Sequence, residues 1–277
     1  MRYAAIMVYV DNGSHAAARV NLACEIAAAF EASVIGASAS VPMFPVMAPS
    51  RFGPVAGPVL TPPQQAAEAD LGYSEALFRQ AARAFGRPIE WRCSMDHPAR
   101  FLSREARAAD LVVVGQIRNE VAPYSLANPS DMLLEIGRPL LVVPPAVGIG
   151  PLGSRAIVAW KDSREARRAV QDATPILRKS SRVDVVEIAP AGDLEAARFR
   201  TSDVATYLSR HGVRAEGRAL LDDGDGPTPQ LLALARGVGA GLIVMGGQGH
   251  TRLREWTFGG DTYRMLKKSP ICVLLSS

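Results

Sequence analysis

Gly241-Leu242-Ile243-Val244-Met245-Gly246-Gly247-Gln248-Gly249-His250, completed by Gly259-Gly260-Asp261-Thr262, holds an apolar run that ends in a glycine ladder, Gly246-x2-Gly249-x9-Gly259-Gly260. A short apolar run bounded by glycine reads as a buried parallel strand. Gly259 to Lys268 then reads as a helix, and Ile271 to Leu275 as a second buried strand. Glycines between a strand and a helix N-terminus let backbone N–H groups approach an anion, which the helix dipole also favours. The ladder is therefore expected to cradle a phosphate. A plain tight turn is the alternative for one such loop taken alone.

A worn copy of the ladder stands earlier in the chain. Shifted back by 131 residues, Asp110-Leu111-Val112-Val113-Val114-Gly115 lies under Gly241 to Gly246, and Asn128-Pro129 under Gly259-Gly260. Gly137 to Val143 then lies under Lys268 to Leu274. The period is far too long for a solenoid unit, so each copy is expected to be a domain, 1–147 and 153–277. Arg118, Asn128 and Pro129 replace the second, third and last glycines, putting side chains where the backbone had room. An anion site is expected in the second copy alone.

Working outward, strands alternate with helices. In the first half they are expected at Ala4–Val10, Ser33–Ser38, Ile89–Cys93, Leu111–Val114 and Leu140–Val143, with helices Ser14–Phe30, Gln64–Phe85 and Pro98–Ala109. A Pro- and Gly-rich loop, Pro144–Ser154, leads to strands Ala156–Trp160, Val183–Ile188, Arg214–Leu220, Leu242–Met245 and Ile271–Leu275. Helices are expected from Ser163 to about Arg178, Leu194–His211 and Thr228–Gly237. This alternation implies parallel sheets with right-handed crossovers, and ligands at the carboxyl ends of strands where strand order reverses. Pro42–Pro63 has no periodicity and is too long for a routine connection, so it reads as a cover or a mobile link.

The chain's 277 residues suffice for two cores. Its formal charge of +4 is spread over both halves, without basic runs interleaved with aromatics, so nucleic acid is not an expected partner. No run is long enough to span a bilayer, and the first strand leaves no room for a signal peptide, so a cytoplasmic protein is expected. Cys24, Cys93 and Cys272 are scattered and read as small core residues. The histidines show no metal-ligand spacing, and Asp222-Asp223-Gly224-Asp225-Gly226 lacks the downstream glutamate of a calcium loop. Asp96-His97 is expected to be a helix start with Asp96 as cap rather than a general base. No catalytic triad can be assembled, and the ladder lacks the Lys-Ser/Thr ending of a P-loop. Those features favour a binder over a fast catalyst.

With its duplication, strand order and Gly-x2-Gly-x9-Gly spacing, the chain resembles the universal stress protein family in its tandem form. The resemblance implies an α/β architecture of two flavodoxin-like domains, doubly wound with five-stranded parallel sheets, paired along their last strands into an intramolecular pseudo-dimer. Further pairing of two chains is a second implied level of assembly. It also implies a stress-response protein holding ATP or another adenine nucleotide, with Mg as a companion to the phosphates. Carried over by position, the phosphate residues are Gly246, Gly249, Gly259 and Gly260, with Asp261 and Thr262 opening the helix; His250, next after the ladder, is placed to reach a phosphate but reads first as a solvated loop histidine. Ala159, Trp160, Lys161 and Ile188 frame the adenine. Gly260 stands where the family has Ser or Thr, and Lys161 where it commonly has Asp, a residue that the first half keeps as Asp11. The alternatives are a nucleotide-independent scaffold and a slow ATP hydrolase using Asp162 or Asp261.

Overall fold

The computed structural model describes residues 2–42, 62–116, 127–247 and 260–277. The first half runs β1 (Ala5–Tyr9), α1 (Ala16–Phe30), β2 (Ser33–Ala39), α2 (Pro62–Ala81), β3 (Ile89–Ser94), α3 (Pro98–Glu105), β4 (Leu111–Gly115), α4 (Pro129–Leu133) and β5 (Leu140–Val143). The second half follows as β6 (Arg155–Ala159), α5 (Arg164–Leu177), β7 (Arg182–Ala189), α6 (Leu194–Arg210), β8 (Ala215–Leu221), α7 (Pro227–Val238), β9 (Ala240–Gly246), α8 (Gly260–Lys268) and β10 (Cys272–Ser276). Each expected strand forms within two residues of its expected ends.

The ten strands of the described residues make one sheet, ordered β3-β2-β1-β4-β5-β10-β9-β6-β7-β8. Within each half every pairing is parallel and the order is 3-2-1-4-5, a doubly wound arrangement. The two halves meet where β5 pairs antiparallel with β10, Leu141 opposite Leu274. These last strands are buried along their whole length, so neither half exposes a sheet edge there. Tyr3 adds a tie across the halves, its hydroxyl donating to the Asp172 carbonyl at 2.7 Å. Burial there raises the Tyr3 pKa well above the ordinary phenol range and keeps the group a neutral donor.

Alternating strand residues feed two apolar layers that run through both halves. One, with Ile6, Val8, Val158 and Leu274, is covered by α1, α2, α5 and α6. The other, with Met7, Val112, Ile243 and Val273, is covered by α3, α4, α7 and α8. Strand order reverses between β1 and β4, and again between β6 and β9. The chain thus has two switch points, each open at the carboxyl ends of its strands.

Three readings need correction. Asn128 and Pro129 are more than decayed glycines. Asn128 caps α4, its side chain accepting from the Ser130 N–H at 2.9 Å, and Pro129 takes the first helical position. Cys93 is not in the core: β3 is an edge strand and leaves its thiol exposed, whereas Cys24 and Cys272 are buried. Burial pushes those two thiols up to about 11 and about 12, away from reactivity. Asp96 does not cap α3 either. It accepts the N–H of its own neighbour His97, the residue at the cap position, and pairs with Arg104. The Asp222–Gly226 segment is a pair of short turns, Asp222 accepting from Gly224 and Asp223 from Asp225. Of the Pro42–Pro63 segment, residues 43–61 lie outside the described residues, and Pro62 and Pro63 open α2.

Candidate functional site

The second switch point opens into a cleft of about 310 Å3. Its floor is apolar: Ala159 ends β6, Val186 and Ile188 lie on β7, and Met245 is the last but one residue of β9. Leu231 of α7 and Met265 of α8 close it from the side. Three helix N-termini face this space, those of α5 (Ser163, Ala166), α7 (Pro227, Thr228) and α8 (Asp261, Thr262). Each brings the positive end of a dipole; Pro227 and Pro229 leave α7 the Thr228 and Gln230 N–H groups, and at α5 the Ser163 and Glu165 side chains already accept from first-turn N–H groups. At α5 the effect is already visible. Backbone N–H bonding in the helix's first turn holds the Glu165 carboxyl below its usual range, against the opposing pull of burial. Ser163 caps the same helix, accepting from the Ala166 N–H at 3.2 Å.

Seven of the residues expected from sequence meet in this one cleft: Ala159, Trp160, Lys161, Ile188, Gly246, Asp261 and Thr262. Gly260 opens α8 beside them, with open space where a Cβ would stand. Gly249, His250 and Gly259, and with them Arg252 and Arg254, lie outside the described residues. Gly246 has a packing role as well. A Cβ there would stand 2.5 Å from the Ala166 backbone nitrogen, so the missing side chain lets α5 start against the end of β9. Gly247 is likewise pressed on Leu133 of the first half, whose side chain would meet an added Cβ.

Sequence reasoning missed several wall residues. Thr228 donates to the Asp261 carboxylate at 3.2 Å and ties α7 to α8. Glu187 and Asp193 share Arg200, whose Nη2 lies 2.6 Å from an oxygen of each. That guanidinium holds the Asp193 carboxyl below its usual range. The available signals were Pro227 beside Thr228 after a glycine, and an acidic residue breaking the apolar pattern of β7 at Glu187. Lys161, by contrast, is exposed at the mouth. The indole nitrogen of Trp160 is buried and has no hydrogen-bond partner among the described residues.

The first switch point is differently furnished. Its cavity is about 160 Å3 and lies against Tyr9, Asp11, Gly115 and Val143. Arg19, from α1, is buried at this point. Its Nε donates to the Tyr9 carbonyl at 2.8 Å and its Nη2 to Asp11 at 2.7 Å. Its remaining nitrogen sits 2.5 Å from where a Gly115 Cβ would be. The space that α5 fills beside Gly246 is thus filled beside Gly115 by a guanidinium.

Among the described residues no cluster of three or more His, Cys, Asp or Glu is arranged to hold a metal ion, and no helix is long and apolar enough to cross a membrane.

The chain is a doubly wound α/β architecture with a cavity at each of its two switch points, the wider one in the second half. Among proteins of known structure, the chain is similar along 99% of its length to a universal stress protein from Archaeoglobus fulgidus DSM 4304, covering 96% of that chain at a TM-score of 0.75 and 14% identity. It is also similar to a protein of unknown function from Pseudomonas aeruginosa PAO1, with 99% of this chain and 92% of that one covered, TM-score 0.58 and 15% identity. No protein-family model matches the sequence, and neither does any curated protein. At these identities the likeness is one of architecture: the chain has the tandem universal-stress-protein fold.

Proposed function

We propose that this chain is a stress-response protein that binds one adenine nucleotide, ATP or a relative, in the cleft of its second half. The observation that supports this reading most is the convergence of three helix N-termini on one cleft with an apolar floor. Apolar residues suit a purine ring, and backbone N–H groups at positive helix ends suit phosphate. Ala159, Trp160, Lys161 and Ile188 frame the base in this reading. Gly246, Gly249, His250, Gly259, Gly260, Asp261 and Thr262 surround the ribose and phosphates. Asp261 places one negative charge on the phosphate side, which a magnesium ion carried by the nucleotide's phosphates would offset.

The first half, 1–147, serves as scaffold and carries no nucleotide, because the Arg19–Asp11 pair occupies its switch point. The second half, 153–277, carries the site. Absence of a P-loop lysine favours a sensor over a rapid hydrolase, and the protein acts in the cytoplasm. The test is Gly249→Arg, which copies Arg118 of the first half into the ladder. ATP at about 100 times its dissociation constant is expected to raise the midpoint of thermal unfolding of the native protein by about 5–10 °C. The variant is expected to keep the unliganded midpoint and lose the shift. An unchanged ATP shift in the variant would remove the ladder from the site.

A further inference from the structure

Arg19 narrows the first switch point without closing it. A cavity of about 160 Å3 opens there among the last residues of β1, β4 and β5, which are Tyr9, Gly115 and Val143. Two kinds of hydrogen-bond donor reach it. One is Arg19, whose side chain is only 6% exposed. Its Nε and Nη2 are engaged with the Tyr9 carbonyl and Asp11. Its Nη1, set against Gly115 on the cavity wall, has no hydrogen-bond partner among the described residues. Unlike the Trp160 indole nitrogen, this atom is not sealed in protein. The other donor is the start of α1, a helix of 15 residues. Its first backbone bonds run from the Ala16 N–H to the Gly13 carbonyl and from the Arg19 N–H to the His15 carbonyl. The Ala17 and Ala18 N–H groups are left without a partner among the described residues. No side-chain cap closes this helix, and its first turn carries no acidic residue. The matching helix α5 has both, in Ser163 and Glu165. The positive end of the α1 dipole is therefore left for a group from outside the chain.

We propose that this cavity is a binding site of its own, for a small monocarboxylate with a short apolar tail. A carboxylate is planar and has two oxygens, one to accept from Arg19 Nη1 and one from the N–H groups that open α1. The charge of Arg19 is already balanced by Asp11, so the helix end supplies the pull on an anion and the guanidinium fixes its direction. A single negative charge suits the place, because Asp11 repels a second. Val143, Pro144, Pro145 and Val147 give the tail an apolar wall. The volume is about half that of the cleft in the second half, which suits a molecule of few heavy atoms and separates this ligand from a nucleotide.

The test is a saturation-transfer NMR titration of the full chain with sodium butyrate at constant ionic strength. The expected result is saturable binding, retained in excess ATP, with butyramide, the neutral amide of the same shape, bound about tenfold more weakly or not at all. Ala18→Glu changes an exposed residue of the cavity wall and sets a carboxylate at the start of α1. It is expected to weaken butyrate about tenfold or more. Ala18→Gln, of the same size without the charge, is expected to stay within about threefold of the native chain. Ala66→Glu, at an exposed position of α2, is expected to leave binding unchanged. The proposal is overturned by absent saturation, by equal binding of butyramide, by full affinity in Ala18→Glu, or by equal losses in Ala18→Glu and Ala18→Gln. One-for-one displacement by ATP would also overturn it, by placing butyrate in the nucleotide site. So would inorganic phosphate that binds as well as butyrate, by showing a site for a different anion. Failure of ATP to bind leaves these readouts intact, so the two readings fail separately.

Discussion

The two switch points of this chain are the same place in one repeated fold, and they are furnished differently. In the first, a buried arginine from α1 bonds to the end of β1 and to Asp11 and occupies the space beside Gly115. In the second, α5 begins early enough to press its backbone on Gly246, and the volume beyond is left as an open cleft facing three helix ends. A guanidinium in a switch point is a positive charge already spent on its own protein. Helix ends in a switch point are positive potential still available to a ligand. The comparison teaches that one place in a repeated fold can be filled by the chain's own ion pair in one copy and left wider in the other, with no change of strand order.

The comparison can be broken at its strongest point first. Arg19→Leu leaves Asp11 without its partner in a place only 18% exposed at the side chain. The expected loss of unfolding free energy is about 3 kcal/mol, measured by chemical denaturation. Asp11→Asn in the same chain should restore part of it, because the unpaired charge is then gone. Next comes Gly246→Ala, whose Cβ meets the backbone of α5 and costs about 2 kcal/mol, since neither strand nor helix can yield cheaply. Gly115→Ala, the matching change in the first half, meets only the tip of the Arg19 side chain. Its expected cost is about 1 kcal/mol or less. Equal costs for the two glycine variants would erase the asymmetry.

The smallest effect is on pH dependence. The folded-state pKa of Glu165 is depressed, so its contribution to stability is present above the unfolded value near 4.3 and is lost as pH falls through the folded value. Glu165→Gln should therefore lower stability slightly at neutral pH and flatten the decline below about pH 4, as read from thermal midpoints across that range.

Much of this was legible in the sequence, for identifiable reasons. The buried strands are continuous apolar runs bounded by glycine and proline, so Leu242–Met245 and Leu140–Val143 could be placed almost to the residue. The duplication located both switch points, and the residues just after β6 and at the start of α8 fell into one cleft because strand ends converge there. Arg19 could not be read that way. Nothing in the pattern of α1 distinguishes an arginine turned inward to Tyr9 and Asp11 from one in water, since its partners lie at the end of another element. The Glu187–Arg200–Asp193 group escaped for the same reason, joining β7, α6 and the turn between them. Gly246 was legible as a glycine that matters but not for what, because a packing need and an anion need select the same residue.

The account rests on one nucleotide per chain, held by the second half alone. Native mass spectrometry of the purified protein titrated with ATP counts this directly. The account predicts a single added nucleotide mass per chain that saturates at one. Two nucleotides per chain would show that the Arg19–Asp11 pair does not close the first switch point, and none would show that the second cleft is not a nucleotide site.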